Sequence, residues 1–328
     1  MFLIKLRNNK TFTCDKDSTI FEAAKNNNII LEHSCLSSRC RSCLVKVVSG
    51  STIDKEQELV LTEEDKNKNY VLSCNAKPLS DLELDVEDLG EIKLFEKKII
   101  PSKISVIEYL NDDILKIVLR LPPNSNFDFN SGQYVNIIKG NLTRSYSVAN
   151  GSDHKNKLEF FIKKYANGLM SDYFFNRAKI NDLLRLEGPI GTFFLRDSNF
   201  KNIVFLATGT GIAPIRSILE GLEKSHESCV NKNLWLIVGA RYQKDFFWEP
   251  KFKNLNIRYI PVLSRQDNDW NGANGYVQDI VLNENIDLEN AQVYACGSND
   301  MINSAKEVFF NKNLNEIDFF SDAFVQTN

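Results

Sequence analysis

Three cysteines crowd into "SCLSSRCRSC", at Cys35, Cys40 and Cys43, and a fourth, Cys74, lies well downstream. Zinc sites ordinarily present two close Cys pairs, and only Cys40 and Cys43 form such a pair here. The C-x4-C-x2-C spacing with a distant fourth Cys suits another centre, two irons bridged by two sulfides and held by four thiolates. Three ligands then come from one wrapped loop, and the fourth reaches in from a neighbouring strand. The competing reading is a group of buried thiols without a ligand role. Cys14 and Cys229 fit no pattern and read as ordinary thiols.

The loop resembles that of plant-type [2Fe–2S] ferredoxins, which generally read C-x-x-G-x-C-G-x-C. Ser38 and Arg41 stand at the two glycine positions, where backbone crowds a cluster or takes a positive φ. A side chain as long as that of Arg41 is expected to point to solvent. A cation beside a cluster that gains negative charge on reduction is expected to raise its potential. The missing glycines also leave open a flavin redox or binding module that has lost its cluster.

Further along, "RSYSVAN" sets Arg144, Ser145, Tyr146 and Ser147 on one strand. A guanidinium fork matches phosphate oxygens, and an aromatic ring packs against a flat heterocycle. Regular alternation puts Arg144 and Tyr146 on one face and Ser147 on the other. "IVFLATGTGIAPIRSIL" reads as strand, Gly-rich turn and helix, with Gly209, Thr210 and Gly211 in the turn. Pro214 stands where G-x-G-x-x-G would place its third glycine. "VYACGSNDM" ends another apolar strand at Cys296 and Gly297.

Together these motifs resemble the ferredoxin–NADP⁺ reductase superfamily, whose flavin signature is R-x-Y-[ST] and whose nicotinamide turn is G-T-G-x-A-P. The resemblance implies FAD, and NADH with NADPH as a possible substitute. It implies Arg144 at the flavin diphosphate, Tyr146 against the ring or ribityl chain, and Ser147 near N5, with Ser145 on the same strand. In "FFIKKYANGLMSDYF", Phe161, Ile162 and Lys163 would line the ribityl and adenosine portion. Gly168, Leu169, Met170 and Ser171 would open a helix with its free N–H groups toward the pyrophosphate.

At the nicotinamide side, Gly209, Thr210, Gly211, Ala213 and Pro214 would hold the dinucleotide. Cys296 and Gly297 would sit where nicotinamide meets flavin, Cys296 guiding C4 toward N5. Asp322 and Phe324 match positions close to the flavin, so Asp322 joins Ser147 and Cys296 as a candidate catalytic group. Ser264 and Arg265 could hold a 2′-phosphate, as in NADPH-using relatives. Trp270, Gly272 and Gly275 instead resemble the W-x-G-x-x-G-x-V stretch of NADH-using reductases, and NADH is favoured.

Positioning these groups calls for a multidomain chain. Residues 1–90 read as a small α+β unit of the β-grasp ferredoxin kind, and 91–101 as a linker ending at Pro101. Residues 102–197 show recurring short strands that suit an antiparallel β-barrel for FAD. From 198 to 328, apolar strands alternate with helices, as in a parallel α/β sheet for NAD. "STIFEAAKNNNI" is expected to be a helix capped by Thr19 and Glu22, and "LTEED" a short capped turn.

The 328 residues carry a net charge of −3, too small and of the wrong sign for nucleic-acid binding. All the net acidity falls in the first segment, and Asp81, Glu83, Asp85, Glu87 and Asp88 read as a solvated edge strand rather than a docking patch. No apolar run reaches the length of a membrane span, and no signal peptide opens the chain, so a cytoplasmic protein is expected. The domain order resembles single-chain reductases that feed electrons to a partner protein. That partner is expected to be a pyridoxamine-phosphate-dependent dehydrase of CDP-4-keto-6-deoxyglucose or, alternatively, an oxygenase.

Overall fold

Alternating apolar residues in "FLIKL" and "TFTC" form β1 (Phe2–Leu6) and β2 (Thr11–Cys14), antiparallel across a turn in which Asn9 takes φ +62°. The computed structural model describes residues 1–58, 60–90, 92–154, 156–225, 232–265 and 269–324. It divides into two units, Met1–Lys93 and Leu94–Asn328. No helix among the described residues is long and apolar enough to cross a membrane.

In the first unit, α1 (Ile20–Asn26) starts at the expected capping box, with Thr19 and Glu22 each satisfying the other's backbone N–H. Next come strands β3 (Leu44–Ser49) and β4 (Thr52–Asp54), then α2 (Glu63–Asn67), β5 (Tyr70–Leu72), β6 (Ala76–Pro78) and β7 (Leu82–Asp85). The main sheet runs β2-β1-β7-β3-β5, and β4 pairs with β6. Ile20 and Ala24 of α1 pack on Ile4, Leu6, Val45 and Leu84 of the sheet as its core.

One expectation is corrected here. The acidic stretch is no edge strand: β7 lies between β1, parallel to it, and β3, antiparallel to it. Its charges are answered by the first hairpin, Lys5 with Glu83 at 3.0 Å, Arg7 with Asp85 at 2.6 Å and Lys10 with Asp88 at 2.5 Å. The alternation was legible, but the cations opposite it come from a strand far away in the chain.

The second unit opens with β8 (Lys98–Tyr109), which begins inside the stretch expected to be linker. Pro101 sits in it before the β9 register begins at Lys103, where only one neighbouring strand needs its hydrogen bonds. Then come β9 (Ile114–Arg120), β10 (Tyr134–Lys139), β11 (Leu142–Ser147), β12 (Lys157–Lys163), α3 (Leu169–Asp172) and β13 (Leu183–Ile190). They form an antiparallel sheet ordered β11-β10-β13-β8-β9-β12. Beyond β11 the chain reaches the other edge, where Ala149 N donates to Glu159 O at 2.8 Å.

Strands β14 (Asn202–Thr208), β15 (Asn233–Ala240), β16 (Ile257–Leu263), β17 (Ala273–Asn274), β18 (Ala291–Gly297) and β19 (Phe319–Ala323) are all parallel, ordered β17-β16-β15-β14-β18-β19. Helices α4 (Ile212–Lys224), α5 (Val277–Asn283) and α6 (Asn299–Phe310) connect them. The two-residue period of β14 shows why both faces need cover. Ile203, Phe205 and Ala207 pack with α4, while Val204 and Leu206 pack with α5 and α6. The α4 side also takes in Ala149, Phe161 and Phe193 from the antiparallel portion, so the two sheets share a core.

Candidate functional site

The four thiols of the first unit sort into two pairs. Cys35 N donates to Cys40 Sγ at 3.3 Å, and Cys43 Sγ lies 3.2 Å from Cys74 Sγ. Within each pair the shared hydrogen bond pulls one sulfur below the ordinary thiol range, Cys35 beside Cys40 and Cys74 beside Cys43, and pushes its partner above it. Backbone N–H groups of Ser37 and Arg39 add hydrogen bonds to Cys35 Sγ, each at 3.4 Å, as a thiolate sulfur would require. Among the described residues no group of three or more His, Cys, Asp or Glu side chains is placed to hold a metal ion. Four thiols in two pairs are the donor set that two bridged irons take, so they fit a [2Fe–2S] cluster in kind.

The loop's two departures from glycine both take positive φ, +57° at Ser38 and +61° at Arg41. Ser38 Oγ lies 3.9 Å from Cys74 Sγ. Arg41 overturns the expectation that it faces solvent. Its guanidinium forks onto the Asp65 carboxylate at 2.6 and 2.8 Å, with the two side chains 22% and 13% exposed. Asp65 was missed in the sequence, where "LTEED" reads only as a short capped turn; the structure shows it as the N3 residue of the α2 capping box.

In the second unit, β11 pairs with β10 in unbroken register, so Arg144 and Tyr146 do share a face. Arg144 donates Nη1 to the Thr143 carbonyl at 2.8 Å. Tyr146 stands edge-on to Phe174 at 6.1 Å, and burial pushes its phenol up, Arg144 opposing. Ser145 faces the other way and donates to Asn136 Oδ1 at 2.8 Å, while Ser147 is buried at the strand's end. On β12, Phe161 stands edge-on to Phe247, and Lys163 Nζ lies over the Tyr165 ring. Ile162 points into the sheet's own core and can meet a nucleotide only through its backbone.

Gly168 opens α3 because a Cβ there would meet Ser171 Oγ at 2.5 Å. Tyr165, Gly168, Leu169 and Ser171 line a cleft of about 280 Å³, while Met170 is buried in the core. The cleft lies at the glycine turn that follows β12, and α3 beside it packs against β11, the strand of Arg144 and Tyr146.

The parallel sheet reverses its strand order between β14 and β18, where ligands enter such folds beyond the carboxyl ends of the strands. Both nicotinamide motifs lie at that point. Gly209 has φ +55° and open space where a Cβ would go, leaving its backbone accessible to a phosphate. A Cβ on Gly211 would lie 2.1 Å from the Cys296 carbonyl oxygen, so the G-T-G turn rests on the end of β18. Thr210 is buried, and Ala213 and Pro214 are buried in the first turn of α4.

Cys296 is fully buried and sits in register with Asp322 of β19. Burial first, and the Asp322 charge second, push its thiol well above the ordinary range. Phe324 N donates to the Gly297 carbonyl at 3.0 Å, tying the chain end to the same place. Sequence reasoning missed Thr208, whose hydroxyl underlies this corner: a Cβ on Gly297 would meet it at 2.1 Å.

Ser264 already donates its hydroxyl to Ala240 O at 3.2 Å, and Arg265 reaches Tyr242 Oη at 2.8 Å. Trp270 stacks on Phe246, and its ring occupies the place of a Gly272 Cβ, 2.4 Å away. Gly272 thus answers to packing, whereas Gly275 answers to its φ of +116°. Cys229 lies outside the described residues.

Residues 4–79 match the 2Fe-2S iron-sulfur cluster binding domain, 101–195 the oxidoreductase FAD-binding domain and 205–307 the oxidoreductase NAD-binding domain. The chain is 42% identical to the CDP-6-deoxy-L-threo-D-glycero-4-hexulose-3-dehydrase reductase of Yersinia pestis, over 96% of its own length and 95% of that protein's. It is 37% identical to protein RfbI of Salmonella typhimurium, over 98% and 95%. With the phenol hydroxylase P5 protein of Acinetobacter pittii the identity is 28%, over 96% and 92%. Its fold is similar to the crystal structure of an Amycolatopsis cytochrome P450 reductase, with TM-score 0.74, 21% identity and 99% of each chain covered.

Proposed function

The chain belongs to the family of iron–sulfur flavoprotein reductases that includes the Yersinia dehydrase reductase, and we propose that a sugar dehydrase is its electron acceptor. It is an NAD(P)H-dependent oxidoreductase that serves an acceptor protein. The proposed acceptor is a pyridoxamine-phosphate-dependent enzyme that deoxygenates C-3 of CDP-4-keto-6-deoxyglucose. The observation that carries this reading is the 42% identity over 96% of the chain, against 28% for the phenol hydroxylase protein. That second relative supports the alternative, an oxygenase acceptor.

When bound, FAD takes a hydride from the nicotinamide, and the [2Fe–2S] cluster carries electrons onward one at a time. The chain's own residues bind and orient. Cys35, Cys40, Cys43 and Cys74 would hold the cluster in two pairs, as their contacts support. Arg144 would bind flavin phosphate with its fork, and Tyr146 and Phe161 would pack against the cofactor. Ser147 would hydrogen-bond near the flavin's reactive nitrogen. The Gly209–Gly211 turn would hold the dinucleotide phosphates, and Cys296, with Asp322 beside it, would direct the nicotinamide.

NADH is the proposed donor on the resemblance of Trp270, Gly272 and Gly275 to the stretch of NADH-using reductases, and the exposed Ser264 hydroxyl donates to Ala240 O. A kcat/KM for NADPH above that for NADH would reverse this choice. The finer fold reading goes with the proposal: a β-grasp ferredoxin module, a flavin barrel and a doubly wound dinucleotide sheet. So does a cytoplasmic setting, which the six free cysteines among the described residues support.

The deciding experiment combines the reductase, NADH, the dehydrase and CDP-4-keto-6-deoxyglucose, and monitors C-3-deoxygenated sugar by mass spectrometry. Product that depends on the reductase supports the dehydrase reading. Its absence, together with reduction of a hydroxylase component, supports the alternative.

A further inference from the structure

Arg41 lies between two proposed iron ligands, Cys40 and Cys43, and takes φ +61°, a conformation that residues with a side chain rarely adopt. Its guanidinium is held on two sides. Nη1 donates to Asp65 Oδ2 at 2.6 Å, Nη2 donates to Oδ1 at 2.8 Å, and Nη1 also donates to the Val60 carbonyl at 2.7 Å. The planar fork makes this pairing directional in a way that a lysine could not copy.

Asp65 is itself fixed. Its Oδ2 accepts from Thr62 N and Thr62 Oγ1, each at 2.7 Å, which closes the N-terminus of α2. The cysteine loop is thereby anchored to a helix cap that lies outside it. We propose that Arg41 and Asp65 are a positioning pair for the iron–sulfur loop: Asp65 holds Arg41 in its left-handed turn and cancels the charge that the guanidinium would otherwise present to the cluster. This rests on the reading of the four thiols as ligands, and it replaces the expectation that Arg41 alone raises the potential.

Opposite signs make the pair testable. Reduction adds a negative charge to the cluster, so an unpaired cation nearby favours the reduced form and an unpaired anion favours the oxidised form. D65N leaves the cation, R41G leaves the anion, and the double variant leaves neither. Anaerobic redox titration of the full-length protein, monitored by electron paramagnetic resonance, reads the result. D65N is expected to shift the cluster's one-electron equilibrium toward reduction and R41G toward oxidation, each by at least about fivefold. The double variant returns to within about twofold of the wild type. Shifts of the same sign in both single variants, or in neither, overturn the proposal.

Iron and sulfide content supplies a second measurement should D65N lose its cluster. Glycine accepts the left-handed turn without a clamp, so R41G in the same chain restores the cluster that D65N loses. A double variant as empty as D65N also overturns the proposal. Wild-type protein that takes up no iron and sulfide after anaerobic reconstitution removes the ligand reading itself, and the pair with it. A loaded wild type with a flat cycle removes the pair alone.

Discussion

A fully buried thiol keeps its proton, and Cys296 has no exposed surface at all. Burial and the Asp322 charge both oppose its ionisation, so its pKa in the folded chain lies above the ordinary 9.0. The stabilising contribution of that shift is whole below pH 9.0 and wanes as the pH rises and the unfolded chain ionises. Native protein at pH 8 is therefore expected to resist iodoacetamide at Cys296, as read by peptide mass spectrometry. Asp322→Asn removes the opposing charge, so labelling should begin at lower pH; an unchanged onset would separate the two residues. A second prediction concerns the glycine turn. Gly211→Ala puts a Cβ 2.1 Å from the Cys296 carbonyl oxygen, which forces the turn off β18. KM for NADH should rise at least about tenfold, because a small misplacement of the cofactor is costly. Gly209→Ala meets no atom within 4 Å and is limited to the strain of φ +55°, about 1 kcal/mol, so its melting temperature should fall less. The G-T-G motif was legible in the sequence, but the reason for its second glycine lies on another strand.

Elements show the same division between what is local and what is not. The capping box of α1 could be read because Thr19 and Glu22 sit a fixed three residues apart, while "LTEED" showed a capped turn without its pair of Thr62 and Asp65. The place of β7 in the middle of its sheet could not, since alternation reports which face a side chain takes and not which strand lies beside it. The partner of Arg41 escaped for the same reason. Helix α4 gives the third prediction. Its Ser217 is fully buried, accepts from Gly132 N at 3.3 Å and donates to Asn150 O at 2.7 Å. Its Arg216 pairs with Glu159 of β12 at 3.0 Å, and its Glu220 accepts from Gly151 N at 2.8 Å. One helix thus fixes the parallel sheet against the antiparallel one. Ser217→Ala strands two buried backbone groups and should cost about 1–3 kcal/mol in urea unfolding, with faster loss of bound flavin. Stability within a few tenths of the wild type would show that water replaces the hydroxyl.

At the scale of the molecule, the chemistry is divided between the two units. All four proposed cluster ligands lie within Met1–Lys93, while the flavin strand and the nicotinamide turn lie within Leu94–Asn328. The second unit carries its own hydrophobic core. Removal of the cluster should therefore leave hydride uptake intact. Cys74→Ser is the suitable variant, because it breaks the Cys43–Cys74 pair without touching α1 or the sheet core of the first unit. With NADH and ferricyanide, which accepts electrons from flavin directly, kcat should stay within about twofold of the wild type, since that path uses only groups of the second unit. Reduction of the acceptor protein should fall by at least about a hundredfold, because a relay without its one-electron carrier has no route onward. Equal loss of both activities would mean that the cluster supports the second unit's structure. Equal survival would mean that flavin meets the acceptor directly and that the four thiols serve some other end.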